Sequence, residues 1–202
     1  MYNERMLTLI VGGTGSGKSE YAEREAKRLC DASGRPLLYI ASLFDGGGES
    51  AAKIEKHRKR RACLDHTTAE CYNAESLRKS TEKAGSGRVI LFDSLDSFLA
   101  CCLDDTGTMR EMAEAAVDII RRAAVKTDII VVSDMVFSDG EIYDRLTTEY
   151  MAVLGIMLGK LSEFAESVTE VVCGIPVKAS SGSLRLPPSP KGEGKKNVHM
   201  ER

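Results

Sequence analysis

The sequence predicts a three-layer α/β domain built on a mostly parallel central sheet. Three observations carry that reading. Short, continuous apolar runs recur along the chain, the pattern of strands covered on both faces. They alternate with longer segments of helical periodicity, the connections that parallel strands need. The chain has 202 residues, enough for one domain with a sizeable core, since a domain of ~150 residues hides roughly two thirds of its unfolded surface.

The elements follow in order. Met6 to Val11 is an apolar strand that ends in Gly12-Gly13. A helix starts near Lys18 and runs to about Asp31, with Gly34 and Pro36 to stop it. Leu37 to Ala41 is the second strand. Gly46-Gly47-Gly48 is a break, and Ser50 can cap a helix from about Ala51 to Arg61. Leu64 to Cys71 reads between strand and loop, its Thr67-Thr68 pair suiting a short edge strand. Ala74 to Lys83 is helical, Gly85-Ser86-Gly87 a turn, and Val89 to Phe92 a strand that ends at Asp93. A short helix over Phe98 to Leu103 and a longer amphipathic one over Met109 to Ala124 come next. Ile129 to Val132 is a strand that ends at Ser133-Asp134. Tyr143 to Glu166 is a long helix, and Val168 to Cys173 a last strand. The domain is placed at 1–178. From Ala179 the chain turns to Ser, Pro, Gly and Lys, which cannot bury enough apolar surface to offset ordering, so 179–202 is expected to be a disordered tail.

Composition excludes several classes. Apolar residues are 43% and charged residues 29%, the balance of a globular protein rather than a fibrous or disordered one. A net charge of −2 argues against nucleic acid as a partner, because such binding needs a basic excess. No run of 18 apolar residues exists to span a membrane. Glu4 and Arg5 lead straight into the first strand, with no signal peptide. The six Cys contain no C-x-x-C spacing and the chain has three His, so the thiols read as reduced and mostly buried, and the protein as cytoplasmic.

Chemistry concentrates between the first strand and first helix. Gly12-Gly13-Thr14-Gly15-Ser16-Gly17-Lys18-Ser19 fits G-x-x-x-x-G-K-[ST]. Glycines let the backbone curl so that successive N–H groups face a phosphate. The helix that begins at Lys18 points its positive end at the same place. Lys18 supplies a point charge, and Ser19 a hydroxyl for Mg2+. All eight residues are therefore expected to bind the nucleotide. A companion acid for the metal is expected at the end of a neighbouring strand. Asp93 fits best and Asp134 is second; either could instead be a helix cap.

The stretch Gly12 to Glu23, a double Gly followed by Ser-Gly-Lys-Ser and Ala-Glu, resembles the bifunctional cobinamide kinase / cobinamide-phosphate guanylyltransferase family of cobalamin biosynthesis. Tyr39-Ile40-Ala41-Ser42 is similar to its second strand. Residues Ala52 to Arg61 resemble its R-I-x-x-H-x-x-x-R segment, Thr68-Ala69-Glu70 its T-x-E, Leu91 to Leu95 its L-x-D-C-L, and Gly174 to Lys178 its closing G-I-P-x-x-L-K. The resemblance implies a RecA-like P-loop domain that phosphorylates adenosylcobinamide with ATP or GTP and then transfers GMP from GTP to the product. It implies Mg2+, a homo-oligomer, and a guanylyl carrier at His57. A neutral imidazole can attack the α-phosphorus and split the transfer into two steps. Arg58 and Arg61 beside it can steady phosphates. Glu70 is a candidate for the guanine edge or for a metal-bound water, or a plain surface residue. His66 reads as structural.

The chain departs from the family pattern in places. Asp134-Met135 stands where the family has Asn-Glu, Arg61-Ala62 stands for Arg-Pro, Leu158-Gly159 falls at its late Asn-Gln, and there is no Trp. Two other readings use the same loop: a monofunctional P-loop kinase with another acceptor, and a non-catalytic nucleotide switch. They separate at His57, which only the guanylyltransferase needs.

Overall fold

The computed structural model describes residues 6–42, 66–101, 109–136 and 143–179. In chain order the elements are β1 (Leu7–Gly12), α1 (Lys18–Ser33), β2 (Leu37–Ala41), β3 (His66–Glu70), α2 (Ala74–Ala84), β4 (Val89–Asp93), α3 (Leu95–Ala100), α4 (Met109–Ala124), β5 (Ile129–Asp134), α5 (Arg145–Phe164), β6 (Ser167–Val172) and β7 (Ile175–Ala179). The strands form a seven-stranded sheet of order β3-β2-β4-β5-β1-β6-β7. Neighbours pair parallel except β6 and β7, which form an antiparallel hairpin at one edge.

Side chains alternate across each strand and so feed two cores. On one face, Tyr21, Ala22 and Ala26 of α1 cover Ile10, Leu37, Tyr39, Leu91, Ile130 and Val132. On the other, α2 to α5 cover Leu7, Leu9, Ile90, Phe92, Ile129 and Val131. The central strands are buried on both sides, which is why they read as unbroken apolar runs. Phe92 meets Phe98 of α3 edge-on at 5.7 Å between ring centres. Truncating such a buried ring to Ala costs about 3–5 kcal/mol.

Most elements stand where the sequence puts them, and the differences have local causes. The ambiguous stretch before Cys71 is strand β3, mostly exposed and, among the described residues, paired with β2 alone. The helix α3 starts at Leu95, not Phe98, because Ser94 leaves β4 in an extended conformation and Leu95, Phe98 and Leu99 already form a buried stripe. The long helix is Arg145–Phe164: Asp144, whose carboxylate accepts from the Thr147 N–H at 2.9 Å, caps its start, and Ala165 turns to extended backbone at its end. One strand more follows the expected last one. A tight turn at Cys173-Gly174, both at positive φ, folds β7 back onto β6. β7 reaches Ala179. The helix expected over Ala51 to Arg61 lies outside the described residues, as does the tail expected over 179–202 apart from Ala179, which ends β7.

Candidate functional site

Three strands bring their C-terminal ends together side by side: β1, β5 and β4. The register pairs Gly12 with Asp134 and Asp93 with Val132. Ligands of open α/β sheets bind beyond such ends, where successive connections diverge. Here the chain leaves β1 through α1 for β2, across β5 and β4, while β6 lies on the other side of β1.

The loop after β1 is held tightly. Gly12 has no room for a side chain, since a Cβ there would lie 2.6 Å from the Val171 carbonyl oxygen. Gly17 ends the loop in the left-handed region, φ 90°, and the Gly174 backbone closes against it; a Cβ at Gly17 would meet Gly174 Cα at 3.3 Å. The Gly174 N–H donates to the Ser16 carbonyl at 2.7 Å, and the Ser16 N–H to the Gly13 carbonyl at 3.0 Å. The β6–β7 turn therefore braces the loop, a contact the sequence reading missed. The N-cap of α1 is Gly17, and among the described residues no side chain caps the helix start, which leaves its first amides available as an anion site requires.

The charged groups converge on this loop. Lys18 is buried and ion-paired with the Asp134 carboxylate, and its ammonium also donates to the Gly13 carbonyl at 3.3 Å. Thr14 Oγ1 donates to the other Asp134 oxygen at 2.7 Å. Behind Asp134 stands Asp96 of α3, whose carboxylate accepts the Asp134 N–H at 2.9 Å. Burial first, and the Asp134 charge second, push the Asp96 carboxyl up to about 6. The Tyr150 hydroxyl donates to the Asp96 carbonyl at 3.0 Å, and burial raises its pKa.

Ser19 and Asp93 meet on the other flank. Ser19 Oγ donates to Asp93 Oδ1 at 3.5 Å, a long contact. Asp93 Oδ2 accepts from the Tyr39 hydroxyl. A hydroxyl and a carboxylate beside a phosphate loop are the hard oxygen donors that Mg2+ takes, the rest of its shell being water and phosphate oxygen. The residues present fit that ion.

The sequence-derived candidates thus divide. Gly12 to Ser19, Asp93 and Asp134 come together. Glu70 ends β3, four strand steps from β1, roughly 19 Å at the usual spacing; it is exposed and accepts from the Tyr72 hydroxyl at 2.9 Å. His57, Arg58 and Arg61 lie outside the described residues. His66 sits on β3 with its ring 5.8 Å from that of Tyr39. Tyr39 and Asp96 were not singled out from sequence. A tyrosine inside an otherwise apolar strand was the available signal for the first, because a buried hydroxyl needs a partner.

The model of the cobinamide kinase / cobinamide phosphate guanyltransferase family matches residues 8–179. The chain belongs to this family. It is 33% identical over 175 residues to the bifunctional adenosylcobalamin biosynthesis protein CobP of Pseudomonas aeruginosa, covering 85% of this chain and 96% of that protein. Among solved structures, an ATPase domain aligns with a TM-score of 0.50 and 12% identity, over 84% of this chain and 70% of that one. A KaiC-like protein of Pyrococcus horikoshii OT3 aligns with a TM-score of 0.49 and 17% identity over 83% and 71%. The likeness to the ATPase domain speaks for the fold alone, and the three-layer P-loop NTPase expectation is borne out. Among the described residues no helix is long and apolar enough to cross a membrane.

Proposed function

We propose that this chain phosphorylates adenosylcobinamide with ATP or GTP, then transfers GMP from GTP to adenosylcobinamide phosphate. The observation that carries the reading is the family match over residues 8–179, loop included. The site supplies what phosphoryl transfer asks of a protein, which is positioning and charge. The first amides of α1 and the Lys18 ammonium hold the phosphates. Lys18 exchanges its Asp134 partner for phosphate oxygen when nucleotide enters. Ser19 and Asp93 would hold Mg2+, which neutralises phosphate charge when bound.

For the second transfer, His57 attacks the α-phosphorus of GTP through a neutral ring nitrogen. A P–N bond forms and pyrophosphate leaves. An oxygen of adenosylcobinamide phosphate then attacks the same phosphorus and frees the imidazole. Arg58 and Arg61 steady the anionic groups. The support is the resemblance of the segment around His57 to the family's His segment, together with the chemistry of these residue types.

The test is incubation with Mg2+ and GTP labelled at the α-phosphate, beside a His57→Ala variant. The expected result is an acid-labile, base-stable protein adduct that is absent from the variant. A folded, GTP-binding wild type without adduct leaves a plain kinase or a nucleotide switch, separated by acceptor-dependent ADP or GDP release.

A further inference from the structure

Tyr39 sits in the middle of β2 and is 1% exposed. Its neighbours Leu37, Leu38, Ile40 and Ala41 are buried and apolar. For packing alone a phenylalanine would serve, and a buried hydroxyl is costly unless it is paired. The hydroxyl donates to Asp93 Oδ2. The register explains the reach: β2 lies beside β4 with Ala41 opposite Asp93, so Tyr39 stands two residues back on the same face and its long side chain covers the difference.

The two oxygens of Asp93 are thereby divided. Oδ2 is tied to Tyr39, and Oδ1 faces Ser19 Oγ. Asp93 is itself only 8% exposed. The Tyr39 ring is held in turn, under α1 on one side and against the tilted His66 ring on the other. We propose that Tyr39 is a positioning residue for the cation-binding carboxylate, fixing Asp93 so that one oxygen stays committed to the Ser19 side. The inference rests on the reading of Ser19 and Asp93 as the Mg2+-binding pair. Groups that orient a metal-binding carboxylate typically contribute 10–100-fold to metal affinity.

The experiment measures binding rather than turnover. A fluorescent GTP analogue is titrated into wild type, Tyr39→Phe and Asp93→Asn, in EDTA and across Mg2+ concentrations, with thermal unfolding in EDTA alongside. Tyr39→Phe is expected to keep wild-type nucleotide affinity in EDTA and to need roughly 10-fold more Mg2+ for the half-maximal effect. Asp93→Asn is expected to lose the Mg2+ effect. Wild-type Mg2+ dependence in Tyr39→Phe, with that dependence lost in Asp93→Asn, overturns the positioning role and leaves the cation pair standing. Equal weakening in EDTA and in Mg2+ makes Tyr39 a packing residue only and also overturns it. A normal Mg2+ response in Asp93→Asn removes the cation pair itself, and the role of Tyr39 with it.

Discussion

At the C-terminal end of the sheet Lys18 is paired with Asp134; at the N-terminal end Arg35 is paired with Asp128. The second pair is built not to move. The Arg35 guanidinium donates to the Asp128 carboxylate and, at 2.9 Å, to Thr127 Oγ1, which itself donates to the Arg88 carbonyl. The other Asp128 oxygen takes the Met6 N–H at 3.3 Å. A planar fork with two fixed acceptors locks β1, β4 and β5 at their starts. The Lys18 pair uses a compact ammonium instead, on a carboxylate that is 22% exposed where that of Asp128 is 6%. Its partner can be traded for a phosphate oxygen without unpicking the sheet. On the proposed reading, one end of the same strands carries stability and the other carries exchange.

Breaking the fixed end is expected to have the largest effect on stability. Asp128→Ala leaves the partly buried Arg35 guanidinium without its carboxylate and costs up to about 3–5 kcal/mol, measured by urea unfolding. Nucleotide affinity of the folded fraction is expected to stay near wild type. Lys18→Ala should give the opposite pattern: a rate loss of ~10²–10³-fold in both transfers, with a smaller stability loss than Asp128→Ala.

Asp96 sharpens the contrast through pH. Its folded-state pKa is raised to about 6 from an ordinary 3.8, by burial first and Asp134 second. The folded state therefore holds its proton more tightly than the unfolded chain, and stability falls as pH rises from about 4 to about 6. Asp96→Asn keeps an acceptor for the Asp134 N–H and removes the charge. It is expected to stabilise by up to about 3 kcal/mol above pH 6 and to change little below pH 4, in thermal melts across pH. The smallest expected effect lies away from both ion pairs. Asn73 caps α2 by accepting from the Ser76 N–H at 2.8 Å, and Asn73→Ala should cost about 1 kcal/mol.

The fixed and exchanging ends were not equally legible in the sequence. The central strands were, because burial on both faces leaves continuous apolar runs. The loop between β1 and α1 was, because its glycines, Lys18 and Ser19 are contiguous and their spacing marks a turn from strand into helix. β7 was not: its residues are all exposed, so it lacks an apolar signature, and its Cys173-Gly174 turn is not a common hairpin pair. The Lys18–Asp134, Tyr39–Asp93 and Arg35–Asp128 contacts join residues far apart in the chain. They depend on β5 lying between β1 and β4, and on β2 lying beside β4. Strand order is a tertiary property that local pattern does not encode. The roles given to His57, Arg58 and Arg61 rest on resemblance and residue chemistry.

The most direct measurement is of product. Purified protein would be incubated with adenosylcobinamide, GTP and Mg2+, and the corrinoids separated and weighed by mass spectrometry. The expected result is adenosylcobinamide phosphate first and adenosylcobinamide-GDP after it, with pyrophosphate released in step with the second. A folded protein that binds GTP and returns adenosylcobinamide unchanged would contradict the proposed function.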